Sequence, residues 1–335
     1  MAKRKDEIKA KVRKKQEKRN KKKHPVVSAG VWGSIAGAYG GLITGNLKNL
    51  SGVQKKIRFI NVDISKYSKK FENFFKNIDH VYHLAALADI VPSINDPKKY
   101  FDTNVNGTMN VLNAAKKNKV KKLIFAASSS CYGIPKNYPI NENALINVKY
   151  PYALTKYLAE ELILHWGQVY NMKNISLRFF NTYGPRSRTT GAYGAVFGVF
   201  LAQKINNKPL TIVGDGNQTR DFLFVQDLVD AIIMVTKKIN KSDIFNVASG
   251  LETKVNKIAK IIGGPRVHIP KRPGEPTRLK ADIKKIKKAT GWSPKIKIEQ
   301  GVEIMLKNIH DWSDAPIWTK KKIKKETKDW FKYLK

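Results

Sequence analysis

The sequence predicts an α/β fold, with a doubly wound parallel sheet followed by a smaller C-terminal lobe. From about residue 56 onward, short runs rich in β-branched and aromatic residues alternate with longer amphipathic stretches. This alternation is typical of parallel strands joined by crossover helices. A length of 335 residues and a hydrophobic content of 42% allow a large buried core. After Asn181 the chain becomes richer in Gly and Pro, which favours a lobe built from loops and short elements.

The individual strands and helices follow from these patterns in chain order. Four runs have the composition of strands and lie at residues 57–62, 79–84, 122–126 and 175–179. Two further stretches carry apolar residues at helical spacing and are predicted to be amphipathic helices. These apolar residues are Phe101, Val105, Met109 and Leu112 in the first stretch, and Leu154, Leu158, Leu162 and Trp166 in the second.

The chain divides into four predicted segments. Residues 1–43 are a divergent N-terminal segment, which is strongly basic up to position 24, with thirteen Lys and Arg against three acidic residues, and then rich in Gly and Ala. The basic part indicates an exposed helix or a disordered arm. Residues 44–178 are predicted to form the domain that contains the sheet, residues 179–313 the smaller lobe, and residues 314–335 a helical tail.

The formal net charge of +38 raises the question of nucleic acid or membrane partners. The lysines are spread over every segment, without a zinc-finger, RNA-recognition or helix-turn-helix pattern, so a solvated basic surface is the preferred interpretation and nucleic acid is not an expected partner. No apolar run approaches the length of about 18 residues that a membrane span needs. The single cysteine, Cys131, is typical of a reducing compartment. We therefore expect a cytoplasmic protein with no membrane span and no metal site.

The strongest chemical signal is the pair Tyr152 and Lys156, which stand four residues apart and so leave the same face of a helix. A tyrosine hydroxyl, with a pKa of about 10, accepts a proton at neutral pH only where nearby positive charge favours the phenolate. Lys156 would supply that charge. Taken alone, such a pair more often marks an exposed helix face. Ahead of it, however, Ser128 follows a buried strand, and open α/β sheets bind ligands at the carboxyl ends of their strands.

Strand, serines and Tyr-x-x-x-Lys helix in this order resemble the extended short-chain dehydrogenase/reductases, and more narrowly the UDP-glucose 4-epimerase-like enzymes, over about residues 44–314. The resemblance implies a Rossmann-like fold, a bound NAD, a UDP-sugar substrate, a homodimer and a place in polysaccharide biosynthesis. It also implies 4-epimerisation through a 4-keto intermediate. In that reaction Tyr152 would be the base, Lys156 would favour the phenolate and bind the nicotinamide ribose, and Ser128 would hydrogen-bond the reacting oxygen.

The resemblance assigns further residues by their order in the chain. The residues that it implies for cofactor binding are Asp63, Ile64, Leu84, Ala85, Ala86, Thr103, Tyr152, Lys156 and Phe180. Those that it implies for substrate binding are Ser128, Asn181, Arg220, Arg272 and Glu275. The planar fork of an arginine can pair two phosphate oxygens at once, which suits the two arginines to a diphosphate.

A second reaction class stays open. Sugar-nucleotide 4,6-dehydratases and UDP-glucuronate decarboxylases resemble the chain too, but they carry an acidic residue just after the position of Ser128, because elimination needs an additional acid or base. Ser129 and Ser130 stand at those positions. Serine does not titrate near neutral pH, so the sequence favours the epimerase.

The N-terminus departs from the family pattern, which leaves a catalytically impaired member as another alternative. A Gly-x-x-Gly-x-x-Gly turn that holds the cofactor pyrophosphate should fall around residues 16–22, where the chain has no glycine. Gly30, Gly33 and Ala36 echo the turn, but too few residues follow before Thr44 for a helix and a strand. The first βαβ element is therefore expected to be missing or divergent, and NAD binding to be weak or absent.

Overall fold

A five-stranded parallel sheet lies at the centre of the computed structural model, which describes residues 26–28, 47–187 and 195–334. The strands within these ranges are β1 (Val26–Ser28), β2 (His80–His83), β3 (Lys122–Ser128), β4 (Lys173–Phe179), β5 (Asn181–Tyr183), β6 (Leu210–Val213), β7 (Thr219–Arg220), β8 (Phe222–Phe224), β9 (Asp243–Val247), β10 (Thr253–Lys254) and β11 (Arg266–Ile269). The central sheet has the order β1-β2-β3-β4-β9, and each neighbouring pair is parallel.

Helices connect the strands and cover both faces of the sheet. The α-helices of the described ranges are α1 (Lys69–Asn73), α2 (Ile90–Asn95), α3 (Pro97–Phe101), α4 (Gly107–Lys117), α5 (Pro151–Val169), α6 (Val196–Ile205), α7 (Val225–Lys238), α8 (Val255–Ile262), α9 (Lys284–Thr290), α10 (Ile298–Lys307), α11 (Lys320–Glu326) and α12 (Lys328–Tyr333). A π-helical turn, Asp102–Asn106, joins α3 to α4, and short 3₁₀ turns lie at Leu47–Leu50, Gln54–Lys56, Ser129–Tyr132 and Ile309–Trp312. None of the helices that the structure describes is long and apolar enough to span a bilayer.

The two faces of the sheet bury separate apolar clusters, because successive side chains of a strand point to opposite faces. In β3, Leu123 and Phe125 pack with Ile163 of α5 on one face. Ile124 packs with Val235 of α7 on the other face. Strands covered on both sides read as continuous apolar runs, as β3 does. The prediction of an α/β fold with a doubly wound parallel sheet is confirmed.

The second lobe has its own core, assembled from short elements. Its strands pair as β5 with β8, β6 with β11 and β7 with β10. Tyr183 stacks on Phe197 with ring centroids 4.5 Å apart, and Trp312 is completely buried in the same cluster. Ile323 of α11 also packs there, so the tail is attached to this lobe.

The lobes are interleaved along the chain, which differs from the linear division predicted at residue 179. Strand β9 pairs with β4 in the central sheet, and α7 and α9 pack on the same sheet through Leu228 and Ile286. At the other end, β1 adds residues 26–28 to this sheet, ahead of the predicted domain start at residue 44. Strands from distant parts of the chain pair in one sheet, so a single boundary in the sequence cannot separate the two lobes.

Two local predictions are wrong in part. Residues 57–62 form no strand in the described structure, and Phe59 is 37% exposed. A segment with strand propensity forms a strand only where a neighbouring strand can hydrogen-bond to it. The predicted helices are present, but Phe101, Met109 and Leu154 are among the more exposed apolar residues.

Candidate active site

A cavity of about 390 Å³ opens where β3 and β4 end, since Ser128 and Phe179, the last residues of these strands, both line it. A smaller cleft of about 130 Å³ shares part of its lining with the cavity. Seven of the residues predicted for the site line the cavity: Ser128, Tyr152, Phe180, Asn181, Arg220, Arg272 and Glu275. The last four also line the cleft.

A chain of four hydroxyl groups runs along one wall of this cavity. Ser128 ends β3 and accepts a hydrogen bond from the backbone N–H of Ser130 at 3.2 Å, which begins the 3₁₀ turn. The Oγ atom of Ser128 donates to Oγ of Ser130 at 2.9 Å. Tyr152 hydrogen-bonds with Ser128, and Tyr150 hydrogen-bonds with Ser130. Sequence reasoning missed Tyr150, although it immediately precedes the Pro-Tyr pair that opens α5.

The ionisation of Tyr152 and Lys156 is governed by burial. Burial raises the pKa of Tyr152, while its hydrogen bond with Ser128 acts to lower it. Burial lowers the pKa of Lys156 to about 7, and the nearby carboxylate of Glu160 opposes this shift. The Lys156 Nζ atom lies 4.1 Å from the ring centroid of Phe125. Activation of Tyr152 by Lys156 therefore stays a prediction, because burial dominates the pKa of the phenol in this structure.

A buried ion pair fixes helix α5, which carries Tyr152 and Lys156. Glu160 and Arg178 are 1% and 3% exposed, and their closest atoms, Oε1 and Nη2, are 2.6 Å apart. Ser176 donates to the other carboxylate oxygen at 2.6 Å. The Nη1 atom of Arg178 also donates to the hydroxyl of Tyr132 at 2.8 Å. This network links α5 to β4 and to the turn after β3, so it sets the position of the helix relative to Ser128.

A second polar contact holds α5 from the side of α4. The amide of Asn104, in the π-helical turn, donates to Oγ1 of Thr155 at 3.0 Å and to the carbonyl oxygen of Leu87 at 3.0 Å. Its own oxygen accepts from the Leu87 N–H at 2.7 Å. Asn104 is 1% exposed, so these bonds satisfy a buried amide. The predicted site residue Thr103 is its half-buried neighbour.

The other residues predicted for the cofactor do not line the 390 Å³ cavity. Asp63 accepts from the N–H and the hydroxyl of Ser65 at 3.0 and 2.7 Å, which closes a local turn. Ile64 is 2% exposed, and a methyl group added at Gly107 would stand 2.9 Å from its side chain. The side chain of Ile64 is thus committed to the core, and only its backbone could face a ligand. Leu84, Ala85 and Ala86 directly follow β2. Ala85 is 1% exposed, and its two neighbours are half-buried.

Part of the cavity lining is a pair of arginines that share one carboxylate. The closest atoms of Arg220 and Arg272 lie 3.6 and 3.4 Å from Oε1 of Glu275. Two cations against one anion leave a local positive charge that suits a phosphate group. Asp221, next to Arg220, accepts four hydrogen bonds and thereby ties β7 to two neighbouring loops. Its donors are the N–H and hydroxyl of Ser249, the N–H of Gly250 and the N–H of Ala281.

Two tryptophans of the tail, Trp318 and Trp330, line the same cavity. The sequence indicated that the tail is helical, but it carried no signal that these side chains reach the site. No group of three or more His, Cys, Asp or Glu side chains that could hold a metal ion is found among the residues the structure describes.

Comparison with known proteins shows which family the chain belongs to. The family model described as GDP-mannose 4,6 dehydratase matches residues 36–305. The chain belongs to this family. Its members are NAD-dependent epimerases and dehydratases of the short-chain dehydrogenase/reductase type, and the parallel sheet seen here is the Rossmann-like sheet of that class.

Individual members of the family differ in the reaction for which they are named. A UDP-glucose 4-epimerase from Lactobacillus helveticus is 33% identical over 280 residues, which cover 76% of this chain and 83% of that protein. UDP-glucuronic acid decarboxylase 2 from Arabidopsis thaliana is 34% identical over 248 residues, which cover 71% of this chain and 55% of that protein. The crystal structure of UDP-glucuronic acid 4-epimerase from Bacillus cereus in complex with UDP-glucuronic acid and NAD has a TM-score of 0.73 at 26% identity, covering 85% of this chain and 91% of that chain.

Proposed function

We propose that the protein is an NAD-dependent 4-epimerase of a UDP-sugar. The observation that carries this proposal is one cavity that is lined both by Tyr152 and Ser128 and by Arg220 and Arg272. A reacting sugar hydroxyl and a diphosphate need both kinds of group in the same site. The relatives named for UDP-sugar 4-epimerisation support the assignment.

The proposed chemistry begins with a proton transfer at the C4 hydroxyl. Tyr152 would accept this proton, and Ser128 would hold the same oxygen by a hydrogen bond. NAD, held by the residues predicted for the cofactor, would supply the reversible oxidation at C4. Lys156, whose pKa is lowered to about 7, would be partly protonated at neutral pH and would favour the phenolate of Tyr152. Tyr152 then returns the proton to the C4 oxygen.

The part of the cavity that Arg220 and Arg272 line would bind the nucleotide. Arg220 and Arg272 would pair with the diphosphate, Asn181 would donate to it, and Glu275 would accept from the ribose. The adjoining cleft of about 130 Å³ offers apolar side chains for the base. These are Val196, Val199, Phe200, Val213 and Phe222.

Residues that follow β2, together with residues of neighbouring turns, would hold the cofactor. Small side chains at Ala85 and Ala86 leave room for close backbone approach, and Asp63 and Thr103 are polar and only half-buried. Phe180 would pack on the nicotinamide, while Leu84 and the backbone of Ile64 would border the adenosine half. Strand β1 ends at Ser28, in register with His83 of β2. The Gly30-to-Ala36 pattern follows in the sequence and lies outside the described residues.

We also propose that the protein forms a homodimer through α3, α4 and α5. Phe101, Met109 and Leu154 are 43%, 36% and 42% exposed on these neighbouring helices. Apolar side chains grouped on adjacent helices of a soluble fold are typical of an interface between subunits. We further propose that the protein is cytoplasmic and acts in polysaccharide biosynthesis, as the sequence analysis predicted.

Product analysis separates the epimerase from its rivals. With added NAD, UDP-glucose should be converted to its 4-epimer without net NADH, because Ser129 and Ser130 offer no group that titrates near neutral pH to drive elimination. Tyr152→Phe should lower turnover at least a hundredfold while leaving UDP-sugar affinity close to that of the wild type. Release of carbon dioxide from UDP-glucuronate, or a stable 4-keto-6-deoxy sugar, would favour the decarboxylase or dehydratase instead.

A further inference from the structure

The tail after α10 forms one wall of the cavity, although the match to the family model ends at residue 305. Four of its residues line the cavity: Ala315, Pro316, Trp318 and Trp330. Helix α11 is anchored in the second lobe through Ile323, and α12 packs against α2, beside the central sheet. The tail therefore extends from one lobe to the other along the site.

Trp330 contacts both the side chain and the backbone of the segment that carries Arg272. The guanidinium carbon of Arg272 lies 5.2 Å from the centroid of the Trp330 ring. The indole Nε1–H donates to the carbonyl oxygen of Pro273 at 2.8 Å. Trp330 is only 3% exposed, and a cation over a desolvated tryptophan face is a favourable arrangement.

These contacts restrict the orientation of Arg272. An arginine side chain has many rotamers, and ordering it on ligand binding lowers affinity. Here Glu275 accepts from Nη1 at 3.4 Å, while the guanidinium lies over the indole ring and the indole N–H binds the carbonyl oxygen of the next residue, Pro273. Arg272 is thus held between a carboxylate and an aromatic ring before any ligand arrives, and it lines both the cavity and the cleft.

We propose that Trp330 is a positioning residue for the diphosphate of the substrate, which it serves by holding Arg272 ready to pair with phosphate. This inference rests on the proposed function, since it requires a nucleoside diphosphate in the cavity. It gives the tail a role in substrate binding, although the tail lies outside residues 36–305, which match the family model.

The test compares the binding of UDP with that of uridine, which lacks the phosphates, by titration calorimetry. Trp330→Phe keeps an aromatic face and should bind UDP within about threefold of the wild type. Trp330→Leu keeps an apolar side chain but removes that face, and should weaken UDP about tenfold while leaving uridine unchanged. Phe331→Ala is the matched control on the same helix, because Phe331 is 41% exposed. It should bind both ligands as the wild type does.

A second arm tests whether Trp330 acts through Arg272. In an Arg272→Leu background, Trp330→Leu should cause no further loss of UDP affinity, since the group it positions is gone. In turnover with a UDP-sugar, Trp330→Leu should raise KM and leave kcat nearly unchanged. Thermal unfolding of each variant establishes that binding is compared between folded proteins.

The results distinguish this inference from the proposed function. If the wild type binds UDP and Trp330→Leu binds it equally well, or loses UDP and uridine in equal proportion, the positioning role is wrong. If the wild type does not bind UDP at all, the proposed function is wrong, and the role of Trp330 is overturned with it.

Discussion

Lys156 is a buried amine whose charge is unfavourable to the fold. It is 4% exposed, and burial lowers its pKa from 10.5 to about 7. Below pH 7 the folded protein carries a buried ammonium. Between pH 7 and 10.5 the unfolded chain binds the proton that the folded protein lacks, so this group makes stability rise with pH. A residue required for the proposed chemistry thus lowers stability at neutral pH, as active-site residues often do.

Replacing this lysine should therefore stabilise the protein. Lys156→Met removes the charge while keeping a long apolar side chain, and it should raise the free energy of unfolding by a few kcal/mol at pH 6. The gain should shrink as pH rises from 7 toward 9, because the wild-type lysine is then neutral when folded. Thermal unfolding at several pH values measures the effect, with Lys208→Met as an exposed control that should show no such trend. A Met variant less stable than the wild type at pH 6 would mean that contacts such as the one with Phe125 outweigh burial.

At the scale of elements, the orientation of α5 depends on a charge pair within the core. Glu160 on the helix and Arg178 on β4 form a buried ion pair. Glu160 also accepts a hydrogen bond from the Ser176 hydroxyl, and Arg178 donates one to the Tyr132 hydroxyl. Removing one member of such a pair leaves an uncompensated buried charge, which costs far more than removing both. The pair accordingly determines where the Tyr152 and Ser128 hydroxyls meet.

This reasoning predicts strong coupling between the two positions. Arg178→Met alone should lower the free energy of unfolding by about 3 to 5 kcal/mol, whereas Glu160→Leu combined with Arg178→Met should recover much of that loss. Urea denaturation of the single and double variants measures the coupling. The exposed pair Glu303 and Lys307 is the control, since Glu303→Gln should change stability by less than about 0.5 kcal/mol. Additive effects at 160 and 178 would contradict the prediction.

At the scale of the whole molecule, we expect cofactor retention to depend on the sequence of the N-terminal segment. Strand β1 pairs with β2, but the chain has no Gly-x-x-Gly-x-x-Gly turn at the expected positions 16–22. Backbone amides at a helix N-terminus are what normally hold a pyrophosphate. Asp63, Ala85, Thr103 and Lys156 would hold only the periphery of the dinucleotide.

We therefore expect the purified protein to carry little NAD and its activity to depend on added NAD. Replacing residues 1–43 with a strand, a Gly-x-x-Gly-x-x-Gly turn, a helix and a strand that ends in an acid should give a protein that retains NAD through purification. The measurement is NAD content and 4-epimerase rate for the two proteins side by side. Stoichiometric NAD in the unmodified protein would contradict this expectation and would assign the pyrophosphate to the segment from Gly30 to Ala36.

The sequence by itself determined the features that depend on near neighbours. The strands at 79–84, 122–126 and 175–179 and the shared face of Tyr152 and Lys156 follow from side-chain periodicity, which is a local property of the backbone. The order of these elements was enough to indicate the family, and with it seven of the residues that line the cavity.

Only the tertiary structure decided what depends on distant segments. Residues 57–62 have the composition of a strand but no partner in the described structure, and the stripe that begins with Leu154 lies partly outside the core. Arg178 meets Glu160 from 18 residues away, and Trp330 reaches Pro273 from 57 residues away. Strand pairing, burial and ion pairing depend on which distant segment packs against a given residue. A local sequence pattern does not contain that information.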